Sequence, residues 1–269
     1  MAPDETVVLR CATYNLLHGI NVKGGQIDLN AAADAIAALD VDVVALQEVD
    51  RDQPRSGRAD QIGELAQRLG WHGEFAAALH GSPDHSWVRA GDDASPAADG
   101  TAAYGVGLLS RWPLRRMARV SLPGGGDGAR KPGATPSRPG WDYEPRVALA
   151  ATVTVHGIDV RVLSTHLSYL PWRAIAQLRA AGRALTSGLP TVLLGDLNLP
   201  AWTVRGALPG WRHAGGTATY PAWRPRFQFD QVLVRGPVVV TGNRVAGTSS
   251  SDHLPLICML ELTDSYHLH

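Results

Sequence analysis

A chain of 269 residues holds either one large α/β domain or two small ones, and is long enough to bury a substantial core. Lysine and arginine number 25, as do aspartate and glutamate, so the net charge is zero. That balance argues against strong non-specific attraction to nucleic acid, although a local basic patch remains compatible with it.

The elements are predicted from the pattern of apolar residues. Residues 7–13 form an apolar strand-like run closed by Tyr14-Asn15. Asp28 is placed to cap a helix carrying Leu29, Ala32, Ala33, Ile36 and Leu39 on one face. The run Val43-Val44-Ala45-Leu46 is closed by Gln47-Glu48, and Ile62, Leu65, Ala66 and Leu69 recur at helical period. Strands are expected over residues 75–78, 105–109 and 116–122. Residues 147–155 and 158–163, around His156-Gly157, read as a hairpin whose second arm leads to Thr165-His166. Pro171 suits the first turn of a helix extending to residue 186. The run Thr191-Val192-Leu193-Leu194 leads into Gly195-Asp196-Leu197-Asn198. Strands over 228–234, 238–241 and 254–260 complete the chain, the last preceded by Ser251-Asp252-His253.

Residues 80–100 and 123–140 are rich in Gly and Pro and read as surface loops without lasting regular structure. Near a cleft such loops select substrate; the alternative is that they are insertions with no role. Cys11 and Cys258 each sit in an apolar run, which predicts buried free thiols, neighbours if the first and last strands pair. No Cys/His cluster has zinc spacing. Residues 1–6 have neither a basic end nor an apolar stretch, and no run of about 18 apolar residues is present. The expectation is a soluble cytoplasmic protein, though removal of a leader leaves the same start; monomer is the default.

Strand ends are rigid places from which to aim side chains into a cleft. These ends present Asn15, Glu48, His166, Asp196 with Asn198, and Asp252 with His253. The set suits a hard cation with oxygen ligands and a histidine acting on phosphate. The ordered motifs Tyr14-Asn15, Gln47-Glu48, Thr165-His166, Gly195-Asp196-Leu197-Asn198, Asp230 and Ser251-Asp252-His253 resemble the endonuclease/exonuclease/phosphatase superfamily, whose members include deoxyribonuclease I. The segment from Tyr104 to Pro113 resembles the same framework, and the likeness runs from Ala12 to Leu260.

The resemblance implies one domain over residues 1–269. Its expected fold is an α/β (α+β) four-layer sandwich, two mixed β-sheets face to face flanked by helices, deoxyribonuclease I-like. It also implies a phosphoesterase using Mg²⁺, with Mn²⁺ as a substitute. A carboxylate at the end of a buried strand needs a partner for its charge, which makes Glu48 the first metal ligand. Asn15 ligates or orients the metal through its amide oxygen, or forms a turn; Asp252 joins the metal shell by resemblance. His253 contacts the phosphate and orients or deprotonates water, with Asp230 by resemblance as its partner. Asp196 and Asn198, two apart on one face of an extended segment, align water and donate to a phosphoryl oxygen. His166 faces the phosphate as a second histidine, or is a core residue. Tyr104 matches a position supporting it. Arg146 either binds substrate phosphate or closes an ion pair.

The substrate class stays open. A phosphodiester is favoured, and the exonuclease III type is disfavoured by the context Gln47-Glu48-Val49-Asp50. A nuclease needs a basic groove, for which the aromatic-cationic stretch 211–227 is a candidate, although that stretch also resembles family framework. A sphingomyelinase- or inositol-phosphatase-like enzyme needs an apolar rim, for which Trp87, Trp141, Tyr169 and Trp172 are candidates. A non-catalytic binding module on the same fold is the remaining alternative.

Overall fold

The computed structural model describes residues 7–83, 85–91, 100–125, 142–185 and 187–262. In chain order it contains β1 (Val7–Asn15), β2 (Ile20–Asn21), β3 (Gln26–Ile27), α1 (Leu29–Ala37), β4 (Val43–Arg51), α2 (Gln61–Leu69) and β5 (His72–Gly81). Then come β6 (Trp87–Arg89), β7 (Ala103–Ser110), β8 (Arg115–Ser121), β9 (Val147–Val155), β10 (Ile158–His166) and α3 (Pro171–Ala184). The last elements are β11 (Thr191–Asp196), α4 (Ala201–Ala207), β12 (Arg212–His213), β13 (Asp230–Arg235), β14 (Val238–Val245) and β15 (Leu256–Leu262).

One sheet has seven strands in the order β14-β15-β1-β4-β7-β5-β6, and the other has six in the order β12-β13-β11-β10-β9-β8. Both are mixed: β1 and β4 pair in parallel, as do β10 and β11, while their other neighbours run antiparallel. The central strands are apolar on both faces, and alternation sorts those faces into separate layers. On β4, Val43 and Ala45 join the core between the sheets, while Val44 and Leu46 face α1 and α2. On β9, Val147, Leu149 and Ala151 enter the same central core, while Ala148 and Ala150 face α3 and α4. Helix, sheet, sheet and helix stack as the expected four layers.

Local chemistry explains the helix starts. The Asp28 carboxylate accepts from the Ala31 N–H and the Asp60 carboxylate from the Gly63 N–H, which caps α1 and α2. Pro171 opens α3 at a position where its missing N–H costs nothing. His156 and Gly157, both at positive φ, make the β9–β10 turn. Cys11 and Cys258 are cross-strand neighbours on β1 and β15, both buried as free thiols.

Several expectations need correction. The strand does not end at Glu48: β4 continues to Arg51 through a register shift between Leu46 and Val49, with Glu48 at φ 54°. A bulge turns the side chain without ending the strand. Residues 80–100 include the tail of β5 and the paired strand β6. Trp87 on that strand is buried against Leu79 and Tyr104, so it is core and not rim. Helix α4 was not foreseen, because its seven residues are too few for a helical period to show. Residues 92–99 and 126–141, and with them Trp141 and most of the second Gly/Pro-rich stretch, lie outside the described residues.

Gly195 shows how tightly the fold grips the catalytic end. It pairs with Thr165 in the parallel β10–β11 ladder, and a β-carbon there collides with the Thr165 carbonyl oxygen. Gly195→Ala is expected to destabilise by about 1–3 kcal/mol, since backbone cannot yield as a side chain does. Each kcal/mol lowers the melting temperature by about 2–4 °C in a chain of this size, which a thermal melt measures.

Candidate active site

The ends of both sheets converge at one edge of the sandwich. Asn15 closes β1 beside Gln47, the residue before Glu48. His166 closes β10 opposite Asp196, and Asp196 is in turn opposite Asp230. The turn preceding β15 brings Asp252 and His253 to the same place.

His253 lies at the centre. Its Nδ1 is 2.8 Å from Asp230 Oδ2, and the same oxygen accepts from the Thr219 hydroxyl at 2.6 Å. The His253 ring packs against Tyr220 with centroids 4.7 Å apart. Burial opposes a charge on His253, but the Asp230 carboxylate and its hydrogen bond, with Asp196 and Asp252 adding to them, outweigh burial and push the pKa up to about 10. His253 is therefore an imidazolium at neutral pH.

His166 is the reverse case. Burial, reinforced by the charges of Arg146 and His253, holds its pKa well below the usual value. Asn198 Nδ2 lies 3.3 Å from His166 Nε2 and donates to the Leu167 carbonyl at 2.9 Å. An amide NH₂ can only donate, so Nε2 of the neutral ring is the acceptor and Nδ1 carries the proton. Asp196 lies between the two rings: its Oδ2 is 3.7 Å from Nε2 of both His166 and His253. Burial lifts the Asp196 pKa to about 6, His253 acting against the rise. Its Oδ1 accepts from the Asn198 N–H at 3.1 Å, which holds Asn198 at φ 50°.

Glu48 anchors the other side. Burial pushes its pKa up to about 7; Asn15 opposes this, and the carboxylates of Glu144, Asp196 and Asp252 add to it. Asn15 Nδ2 donates to Glu48 Oε1 at 3.2 Å and to Asp196 Oδ2 at 3.1 Å, while its amide oxygen accepts from the Leu17 N–H at 3.1 Å. The sequence left Asn15 either ligating or turning; here it bridges two carboxylates and closes a turn, with its oxygen already engaged.

Arg146 realises one of its two alternatives. Its guanidinium is buried, with Nη2 3.3 Å from Asp142 and Nη1 2.9 Å from Glu144, so it closes structural ion pairs. Arg146 also lines one small cavity with His166, Tyr104 and Glu144, so these ion pairs leave contact with a substrate phosphate open. Tyr104 engages Glu144, and burial raises the pKa of both. Glu144, in Asp142-Tyr143-Glu144-Pro145-Arg146, escaped the sequence reading; an acid two residues before Arg146 was the available signal. His18 and Arg55, described below, were missed because nothing in a single sequence separates them from ordinary loop residues.

The pattern of the endonuclease/exonuclease/phosphatase family matches residues 12–253. The chain belongs to this family. Members of the endonuclease/exonuclease/phosphatase family are generally phosphoester hydrolases that use divalent metals. Among solved structures, an endonuclease/exonuclease/phosphatase from Beutenbergia cavernae is 25% identical with a TM-score of 0.71, covering 96% of this chain and 72% of its own. A mannosyl-6-phosphatase from Bacteroides thetaiotaomicron is 15% identical with a TM-score of 0.67, covering 94% and 99%. Truncated TDP2 from Caenorhabditis elegans is 16% identical with a TM-score of 0.61, covering 95% and 98%. The latter two share the fold. No curated protein matches in sequence.

Opposite protonation of the two histidines is directly measurable. Long-range ¹H–¹⁵N spectra at pH 7 are expected to show His253 doubly protonated and His166 neutral, with His253 titrating near 10. Because this pKa is raised, the stabilisation it brings is complete below the unfolded histidine value of about 6.5 and is lost as pH rises through the folded value.

Proposed function

We propose that this chain is a divalent-metal-dependent phosphoesterase acting on a phosphodiester. The observation that carries the reading is the pairing of two opposed electrostatic environments. Burial, with neighbouring carboxylates adding to it, holds back the ionisation of Glu48, and beside it stands an imidazolium held by Asp230. A buried group of acids resists its own charge until a cation balances it. Glu48 and Asp252 offer carboxylate oxygens, as Mg²⁺ or Mn²⁺ prefers. Glu48 and Asp252 would hold the ion, with Asn15 orienting Glu48. Once bound, the ion would neutralise phosphoryl charge and favour departure of the leaving oxygen.

Asp196, Asp230 and His253 also lie close enough together to hold an ion. Their atoms are committed to one another, since Asp230 Oδ2 already takes both His253 and Thr219. The hydrolytic dyad is the better reading of that cluster.

The chain's own residues divide the remaining work. His253, already protonated, donates to a phosphoryl oxygen instead of removing a proton from water. Asp196, with a pKa of about 6, is ionised at neutral pH and takes the proton of the attacking water. The Asn198 amide, bonded to the Leu167 carbonyl and facing His166 Nε2, fixes the plane of the neutral His166 ring at the edge of the phosphoryl site.

A second observation bears on the substrate. Tyr169 and Trp172 follow His166, Trp202 follows Asn198, and Trp223 and Phe227 precede Asp230; all are exposed, Trp202 and Trp223 by 76% and 73%. Their nearness in sequence to the site residues, with Trp172 on α3 and Trp202 on α4, supports a substrate with an apolar or aromatic body beside its phosphate. These side chains serve a phospholipid or a stacked base equally well, and Arg224 and Arg226, between Trp223 and Phe227, fit either. The mannosyl-6-phosphatase neighbour keeps sugar phosphates in any substrate panel.

Glu48→Gln and His253→Gln are each expected to lower Mg²⁺-dependent hydrolysis of bis-(p-nitrophenyl) phosphate by roughly 10²–10⁴-fold, with unchanged far-UV circular dichroism. A folded Glu48→Gln protein with full turnover contradicts the assignment. Calorimetry showing that wild type binds neither Mg²⁺ nor Mn²⁺ favours a binding module instead. Trp223→Ala is expected to raise KM for the natural substrate by several-fold while leaving kcat within about twofold, as loss of uniform binding does.

A further inference from the structure

We propose that His18 is a positioning residue for the Glu48 carboxylate, aimed at it by Arg55 and Asp50. The inference rests on Glu48 being the cation ligand.

The geometry begins at Asp50, two residues beyond Glu48 on β4 and fully buried. Arg55 meets it through two bonds, Nε to Oδ2 at 2.9 Å and Nη2 to Oδ1 at 2.8 Å. This two-point grip fixes the plane of the guanidinium. Arg55 Nη2 also lies 3.1 Å from His18 Nδ1. A guanidinium has only donors, so His18 Nδ1 must present its lone pair and the ring proton resides on Nε2. Nε2 faces Glu48 Oε2 at 3.5 Å, a polar approach longer than a formed hydrogen bond. The other Glu48 oxygen takes the Asn15 amide. A donor thus faces each oxygen, Asn15 bonded to one and His18 poised beside the other.

The backbone is arranged to keep this alignment. His18 and Glu48 both lie at φ 54°, a conformation that non-glycine residues adopt only when the surroundings hold them. Buried Gln61 joins the two segments, donating from Nε2 to the His18 carbonyl at 2.5 Å and accepting the Asp50 N–H at 2.9 Å. Gly19 follows at φ 79°, where a side chain collides with Leu29 and Gln61. The rings of Tyr104 and His18 lie 5.8 Å apart, and the Arg55 guanidinium sits 5.4 Å from the Tyr104 ring centre. Residues that orient a ligating carboxylate commonly change metal affinity by about 10–100-fold when removed.

Calorimetric titration of Mn²⁺ into the full chain tests this, with thermal melts run in parallel. His18→Phe keeps a ring against Tyr104 but has no donor; His18→Gln restores an N–H of similar reach. The phenylalanine variant is expected to bind Mn²⁺ at least about 10-fold more weakly, and the glutamine variant to recover to within about threefold of wild type. Should His18→Phe fail to fold, His18→Asn, which suits positive φ but stops short of Glu48, carries the same expectation as the phenylalanine variant. Wild-type affinity in a folded variant without the donor overturns the proposal, as does a glutamine variant as weak as the phenylalanine one. Those results leave the phosphoesterase reading standing. Failure of the wild type itself to bind Mn²⁺ overturns both.

Discussion

The cost of ionising carboxylates crowded at a partly buried edge is the constraint on which the site depends. Glu48, Asp196, Asp252 and Glu144 share one edge of the sandwich, and burial lifts Glu48 to about 7 and Asp196 to about 6. Such a cluster persists only if opposite charge or donors are placed against it. Each acid has a different answer. Glu144 has the buried Arg146, Asp196 has the His253 imidazolium, and Glu48 has the amide of Asn15 with the imidazole of His18 facing it. In the proposed reading a divalent cation would supply the balancing charge that the protein's own groups leave unmet around Glu48.

The fold exists in a form that makes this crowding tolerable. Parallel pairing of β1 with β4, and of β10 with β11, delivers two strand ends from each sheet to the same edge. Apolar layers on three levels hold those ends rigidly. Their burial offsets the cost of irregular backbone at Glu48 and Asn198, both at positive φ. The same rigidity keeps one histidine charged and the other neutral with a single carboxylate between them. A looser edge would let water equalise the two.

Much of this was legible in the sequence, for definite reasons. Apolar runs with a polar pair at their end mark strands buried on both faces, so β1, β4, β10 and β11 and their terminal residues were readable to within a few positions. The caps Asp28 and Asp60 act locally, and Asp28 was read from its place before a helical period. What was not legible depends on distant partners. The bulge that turns Glu48 inward leaves no mark in Gln47-Glu48-Val49, since the residue types are those of an uninterrupted strand. The ion pairing of Arg146 depends on Asp142 and Glu144, whose approach no spacing rule foretells. His18, Arg55 and Gln61 are joined only through tertiary contact. Trp87 and Trp172 are the same residue type, and only the pairing of β6 with β5 buries one while the other stays exposed.

The central claim is that the cation belongs at Glu48 and that Asp230 and His253 form a proton-holding dyad. Anomalous diffraction from crystals soaked in Mn²⁺ tests both halves at once. The account predicts a manganese peak within bonding distance of the Glu48 carboxylate, with the Asp230–His253 hydrogen bond intact. A peak bonded to Asp230 and His253, with none at Glu48, would contradict it.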